Sequence, residues 1–394
     1  MTIEVTERSA KNLGDVEALS ARTVALRALC FTRLPVLIVG ALAVAVVGTS
    51  PPPVAEALWR VSANEYANLL ARWDSAFYYS IATTGYSWDP SSFTHQNVVF
   101  FPLYPMLMRG AGALIGGHPL LAGLFVSLAA FTVAIALVYQ LALIEIGSDY
   151  AWRAVLLLTA FPYALFFSAA YTESLFLLLS VAAFYAMRRG RFATVALVGV
   201  AIGLTRPNGS WIALPLAALA VGKGASGMQP SRRVLALTAA CAPLAGLALF
   251  SAYLHFRFDD ALAWLHGQRA WGVAIAGLRG APDPARLPWE PALTTEEVIT
   301  WIGNIAAFCA AAVACVPVAR RLGAAYGIWI AINIVPPVPA HLFLSLGRFT
   351  AVLFPFFFWL AWRIPRRRLA QVAVLFAAGQ AVLAAWFFLW KPVV

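Results

Sequence analysis

Apolar runs close to the length of a membrane crossing recur from one end of this chain to the other, and that repetition constrains the fold more than any single residue. A helix needs about 20 apolar residues to cross the hydrocarbon of a bilayer, where every backbone polar group must be bonded internally. The runs fall at 29–48, 120–144, 153–170, 172–187, 192–205, 209–222, 233–254, 298–319, 323–342, 349–364 and 370–390, bounded by arginine clusters, Pro/Gly breaks or aromatic pairs. Only 11% of the 394 residues are charged and 62% are hydrophobic, whereas soluble domains carry roughly 25% charged residues. No core of its own could bury so much apolar surface, so lipid is the solvent. The expectation is an all-α polytopic membrane protein of eleven spans (ten to twelve), in one domain over 29–390 behind a cytoplasmic tail, 1–28. The runs around 192–222 are short and either bend or borrow polar flanks.

Charge sets the orientation. Arg188/Arg189/Arg191, Lys223/Arg232/Arg233, Arg320/Arg321 and Arg363/Arg366/Arg367/Arg368 fall on one side if the spans alternate, and the positive-inside rule makes that side cytoplasmic. The amino-terminal basic residues, Arg8 to Arg33, join them. Two long loops, 49–97 and 256–297, then face outward with a combined charge of −4, against +11 for the whole chain. The basic balance is thus a topology signal, and no nucleic-acid partner follows from it. The count requires an odd number of crossings between 97 and 145, which makes 98–116 a re-entrant or interfacial helix. Cys30, Cys241, Cys309 and Cys315 all lie in apolar runs with no metal-ligand spacing, so they read as small packing residues. With 25 Arg against 3 Lys and abundant Ala, the composition is bacterial in character and suggests the plasma membrane.

Loop 49–97 opens with Pro51-Pro52-Pro53, which ends the first helix. Residues 54–70 return to helical periodicity with mixed apolar and charged positions, an amphipathic helix suited to the membrane surface. It leads into Arg72-Trp73-Asp74-Ser75-Ala76-Phe77-Tyr78-Tyr79. A carboxylate so close to hydrocarbon is a functional-site hypothesis; the plainer reading of Asp74 is a helix N-cap, and the two can coexist. Asp89 before Pro90 reads as a turn residue. His95 either contacts a phosphate or sugar or is simply solvated.

Three further signals interrupt apolar runs. Tyr171-Thr172-Glu173-Ser174 breaks a run of some thirty residues, and Glu173 is either a capping-box acid or a carboxylate facing the same cavity as Asp74. Arg206 lies in GLTRPNGSW, where Pro207 and Gly209 break the helix; a planar, permanently charged guanidinium suits a phosphate. Arg348 opens the apolar stretch 346–361, with snorkelling to head groups as its plainer role. Aromatic residues of the loops (Trp73, Tyr78, Tyr86, Trp88, Trp264, Trp271) suit either sugar stacking or the interfacial aromatic belt.

In order and spacing, these motifs resemble the PIG-V-type mannosyltransferases. The resemblance runs through Trp73-Asp74, Tyr78, Ile81-Ala82, Gly85-Tyr86, Phe100-Phe101-Pro102-Leu103-Tyr104-Pro105, Phe161-Pro162, Ser168-Ala169 and Tyr171-Thr172-Glu173-Ser174-Leu175-Phe176. It continues through Thr205-Arg206-Pro207-Asn208-Gly209, Gly347-Arg348-Phe349 and Phe354-Pro355, covering about residues 72 to 360. The stretch between Tyr86 and Phe100 lies outside it. Such a resemblance implies a GT-C-type glycosyltransferase fold and inverting transfer of mannose from a polyprenyl-phosphate sugar to an extracytoplasmic glycan, glycolipid or protein acceptor. An acid of the first external loop, here Asp74, would be the general base. Arg206 and Arg348, with Arg72 in reserve, are the candidates to hold the donor phosphate, and Glu173, His95 and Tyr78 complete the candidate site. No cofactor or metal is expected, and membrane lipids are the surroundings. The alternatives are a lipid or sugar transporter or flippase without transferase activity, or an idle scaffold.

Overall fold

The structure, a computed structural model, describes residues 20–49, 65–222, 227–271, 295–335, 345–391 and 393. The tail and most of the amphipathic stretch 54–70 therefore lie outside the described residues, apart from one helical turn, Glu65–Asn68. Among those residues the chain is helical and contains no strand. The helices are α1 (Ala21–Val47), α2 (Ser75–Thr83), α3 (Leu103–Leu114), α4 (Pro119–Glu145), α5 (Ser148–Ala160), α6 (Glu173–Arg188), α7 (Phe192–Gly203), α8 (Ala213–Val221), α9 (Pro230–Phe258), α10 (Thr295–Leu322), α11 (Ala324–Ile334), α12 (Leu346–Ala351), α13 (Phe354–Arg363) and α14 (Arg366–Phe388).

Five of them, α1, α4, α9, α10 and α14, are long and apolar enough to cross a membrane. Of the remaining apolar runs, 172–187 and 192–205 each form one shorter helix, α6 and α7, whereas others are divided. The run 153–170 ends as an α-helix at Ala160, continues as a 3₁₀ turn over Pro162–Phe167, and restarts only at Glu173. Phe161-Pro162 explains the stop, because a residue before proline is pushed out of the helical region; Phe161 takes φ −54 and ψ 140. The run 349–364 is likewise split between α12 and α13, and 209–222 opens with a 3₁₀ segment, Pro207–Ile212. At 12 residues α3 extends about 18 Å, short of the hydrocarbon thickness.

Local chemistry explains the long helices. Ser20 caps α1 by accepting the Thr23 amide at 3.1 Å, and Pro119 and Pro230 occupy first positions of α4 and α9, where proline needs no amide partner. Helices α7 and α9 pack backbone to backbone: a Cβ on Gly203 would strike the Pro243 carbonyl, and one on Gly246 the Val200 carbonyl. Small residues allow this approach where lipid supplies no hydrophobic drive between helices.

Arg33 stands apart from the amino-terminal basic residues with which its sequence position groups it. Helix α1 begins at Ala21, which puts Arg33 well inside it and buried. Its guanidinium reaches the break between α5 and α6, donating to the Thr159 carbonyl (2.8 Å), the Ala164 carbonyl (2.5 Å), Ser168 Oγ (3.3 Å) and Gln380 Oε1 (3.1 Å). Gln380, from α14, donates back to the Phe161 carbonyl at 2.9 Å. Non-helical backbone at membrane depth survives only where protein satisfies it, and these two side chains do that here. Replacing Arg33 by Leu should lower the unfolding free energy by about 1–3 kcal/mol for each buried carbonyl left bare. Gln380→Leu should cost less; thermal unfolding in detergent would measure both.

Candidate active site

The break that Arg33 supports delivers Glu173 to the first position of α6, fully buried. One of its oxygens gathers three guanidinium nitrogens. Glu173 Oε1 accepts from Arg206 Nη2 at 2.8 Å and from Arg348 Nε at 3.0 Å, with Arg348 Nη2 in ion contact at 2.9 Å. The remaining nitrogen, Arg348 Nη1, donates to Asp74 Oδ2 at 2.9 Å. Asp74, Glu173, Arg206 and Arg348 thus form one continuous chain of two acids and two guanidiniums. The capping-box alternative for Glu173 loses ground, since its carboxylate is taken up by this chain.

Each charge arrives on a short or broken element. Asp74 precedes α2 with helical backbone angles, and its side chain makes no capping hydrogen bond; the carboxylate turns to Arg348 instead. Before it, Trp73 has φ 51, a left-handed conformation costing a bulky residue on the order of 1–3 kcal/mol and typical of functional sites. Arg206 is held in extended backbone just before the Pro207–Ile212 turn, and Arg348 sits in the six-residue α12. Burial is uneven. The Asp74 side chain keeps 20% of its surface exposed, against 6% for Arg348 and none for Glu173, so Asp74 is the member an incoming group can reach.

Aromatic rings wall the chain. The Arg348 guanidinium lies 4.8 Å from the Tyr171 ring centroid and 5.0 Å from that of Phe166; Arg206 lies 5.4 Å from Phe176 and 5.8 Å from Phe349. Such contacts gain strength where the cation is desolvated, and they hold both guanidinium planes in place. Arg206 Nη1 and Glu173 Oε2 are buried without a hydrogen-bond partner among the described residues. Tyr78 borders the group, its hydroxyl 3.2 Å from Thr172 Oγ1 and its ring edge-on to Phe100 at 5.0 Å.

Two candidates lie elsewhere. Arg72 is fully buried and points to the carboxyl-terminal helix, donating to the Phe388 carbonyl at 2.7 Å and lying 4.3 Å from the Trp390 ring centroid. It braces the backbone on the amino-terminal side of Asp74, and Tyr171 Oη donates to its carbonyl at 3.0 Å. His95 is exposed on the loop after α2. Asp89 is the turn residue its sequence suggests: its carboxylate accepts the Ser91 amide and hydroxyl at 2.8 and 2.6 Å, and the hydroxyl bond holds it below the usual carboxylate range. Asn97 ties this loop down, accepting the Ser87 amide at 2.9 Å and donating to the Gly85 carbonyl at 3.0 Å. Among the described residues no group of three His, Cys, Asp or Glu side chains comes together.

Sequence reasoning missed the ring of Phe166 and the bracing roles of Arg33 and Gln380, and it named Phe176 and Phe349 only within the family motifs, without a role against the arginines. Removing one partner of a buried ion pair typically costs 3–5 kcal/mol. Glu173→Leu, which strands two guanidiniums, should therefore lower stability by about that amount, read as a fall in melting temperature of the purified protein; Glu173→Gln should lose less.

Residues 41–258, more than half of the chain, match the family model described as Mannosyltransferase (PIG-V). The match spans Asp74, Glu173 and Arg206 and stops short of Arg348. No curated protein matches the chain. Two solved structures share a broad likeness, both crystal structures of the Archaeoglobus fulgidus oligosaccharyltransferase. The complex with Zn and sulfate is 13% identical, with 91% of this chain and 53% of that one covered at a TM-score of 0.43. The apo form is 14% identical, with 92% and 56% covered at a TM-score of 0.43. The chain thus spans about half the length of these structures. From the ordered match over 41–258, the chain belongs to the PIG-V mannosyltransferase family.

Proposed function

We propose that the protein transfers a hexose, mannose by family, from a polyprenyl-phosphate sugar to a lipid- or protein-linked acceptor outside the cytoplasm of a bacterial cell, inverting the anomeric centre. The observation that carries this reading is Arg348 joining Asp74 to the buried Glu173–Arg206 pair. Family membership supports glycosyl transfer, and the excess of Arg in the other loops supports an outward-facing Asp74.

The acceptor hydroxyl attacks the anomeric carbon from the face opposite the phosphate. Asp74 takes the hydroxyl proton as the new C–O bond forms, and the old bond breaks with its electron pair on the phosphate oxygen. A positioned base contributes about 10²–10⁴-fold. The leaving phosphate remains anionic, so fixed positive charge in a water-poor site contributes at least as much. Arg206 and Arg348 supply it. Glu173 anchors two nitrogens of Arg348 and one of Arg206, leaving Arg206 Nη1 unengaged among the described residues and Arg348 Nη1 shared with Asp74. A phosphate drawing on Arg348 Nη1 would loosen its hold on Asp74 and free that carboxylate to act as a base. Tyr78 and Trp73 flank the acid, where a sugar ring would lie.

The decisive measurement is mannose transfer from radiolabelled polyprenyl-phosphate mannose by the purified protein in lipid nanodiscs, with lipids and glycoproteins of a deletion strain as acceptors. Asp74→Asn should cut transfer at least 10²-fold while leaving the melting temperature unchanged, because Asn keeps an acceptor oxygen for Arg348. Turnover retained in that variant would remove Asp74 as the base. Counterflow of the lipid-linked sugar in proteoliposomes without transfer would favour a transporter. Arg348→Lys keeps the charge and loses the forked contact, so donor affinity should fall; unchanged affinity would take Arg348 out of the phosphate site.

A further inference from the structure

At the end of α6 opposite Glu173, about 22 Å away along the helix, lies a cavity of about 520 Å³. It is bounded by Met187, Arg188, Phe192, Leu219, Met228 and Arg232, together with Gly190 and the start of α9. Its lining is mixed: the apolar side chains of Met187, Phe192, Leu219 and Met228 stand beside polar Gln229, and its charged side chains are two arginines. Among the described residues no carboxylate lines it.

Both arginines are exposed and have neighbours at the cavity rim. Glu145 holds Arg188 Nε at 2.6 Å, and the terminal nitrogens of Arg188 donate no hydrogen bond among the described residues. Arg232 lies 5.9 Å from the Phe192 ring centroid. Its Nη2 fills the space a Cβ on Gly190 would need, 3.2 Å from that position, and Gly190 has φ +66. Arg232 makes no ion pair among the described residues. It also stands in the first turn of α9, which holds no acid, and a cation there opposes the helix dipole. The arrangement is electrostatically incomplete: two guanidiniums, one paired with Glu145 and one without an ion pair among the described residues, beside a hollow of mixed apolar and polar lining.

We infer that this cavity binds the phosphate of an anionic phospholipid from the leaflet opposite the Asp74 end. Arg232 and Arg188 would take the phosphate oxygens, and the glycerol backbone would rest on Phe192, Met187 and Leu219. Apolar side chains beside a cation pair match an amphipathic anion, and forked arginine contacts suit phosphate oxygens. None of these residues belongs to the Asp74–Arg348 group, so the inference stands independently of the reaction proposed above.

Native mass spectrometry of the purified protein tests it, with phosphatidylglycerol or phosphatidylcholine added after delipidation. The wild type should retain phosphatidylglycerol through collisional activation in preference to phosphatidylcholine. The Arg188→Ala/Arg232→Ala variant should lose that preference by roughly thirtyfold, the contribution of two arginines at a membrane surface. The Arg188→Lys/Arg232→Lys variant should recover most of it, which separates loss of charge from loss of fold, and Arg232→Gln alone serves if the double alanine variant does not fold. Equal retention of phosphatidylglycerol by the wild type and a folded charge-deleted variant would overturn the assignment. So would inorganic phosphate at about 10 mM, tenfold above a weak millimolar Kd, raising the melting temperature as much as the lipid does, since that would mark a site for the free anion.

Discussion

One carboxylate oxygen holds the centre of this protein together. Glu173 Oε1 accepts from Arg206 and from Arg348, with a second Arg348 nitrogen in ion contact, and Arg348 passes the chain on to Asp74. Four separate stretches of the polypeptide meet there. A charged group removed from water costs several kcal/mol even after relaxation, and an apolar replacement of a buried ion pair is often neutral or stabilising. The cluster is therefore a poor means of gaining stability. It is a good means of fixing charges at set positions, and the exposed share of Asp74 lies at one end of it.

The surrounding architecture is organised to make that meeting possible. Continuous helices α1, α4, α9, α10 and α14 supply the apolar frame, while the charged side chains enter on elements that stop and restart. Each break leaves backbone groups without partners, and the protein meets that cost with long polar side chains from neighbouring helices. Arg33 and Gln380 do so for the 161–168 break. Arg109 does so for the end of α2, donating to the Ala82 and Ile81 carbonyls at 2.6 and 3.2 Å. At the other end of α2, Trp73 and Trp390 both occupy left-handed backbone and meet edge to face at 5.6 Å. Two strained tryptophans packed on each other place backbone strain next to Asp74, where tertiary packing can sustain it.

Much of this is legible in the residues alone. Lipid as solvent, helices throughout, and motifs at Asp74, Glu173, Arg206 and Arg348 follow from apolar length, Pro/Gly breaks and isolated charges, because an intramembrane charge is too costly to be incidental. The elements that did not emerge as single helices, 153–170 and 349–364, contain Pro162 and Pro355, and there hydropathy alone outlasts the helix. By sequence Arg72 is a reserve ligand for the donor phosphate and Arg33 one of the cytoplasmic basic residues. The fold buries both and uses them as braces.

By itself the sequence determined the environment and the inventory: a membrane-embedded helical chain of the PIG-V mannosyltransferase family, with two acids and two arginines placed beside helix breaks. Local patterning suffices for that, since hydropathy and proline chemistry act over a few residues. Only the tertiary structure decided which charges share an oxygen, for Arg348 stands 274 residues from Asp74 and 175 from Glu173. Contacts across such separations depend on how whole helices pack, and no local signal encodes the distance between two side chains brought together from opposite ends of a chain.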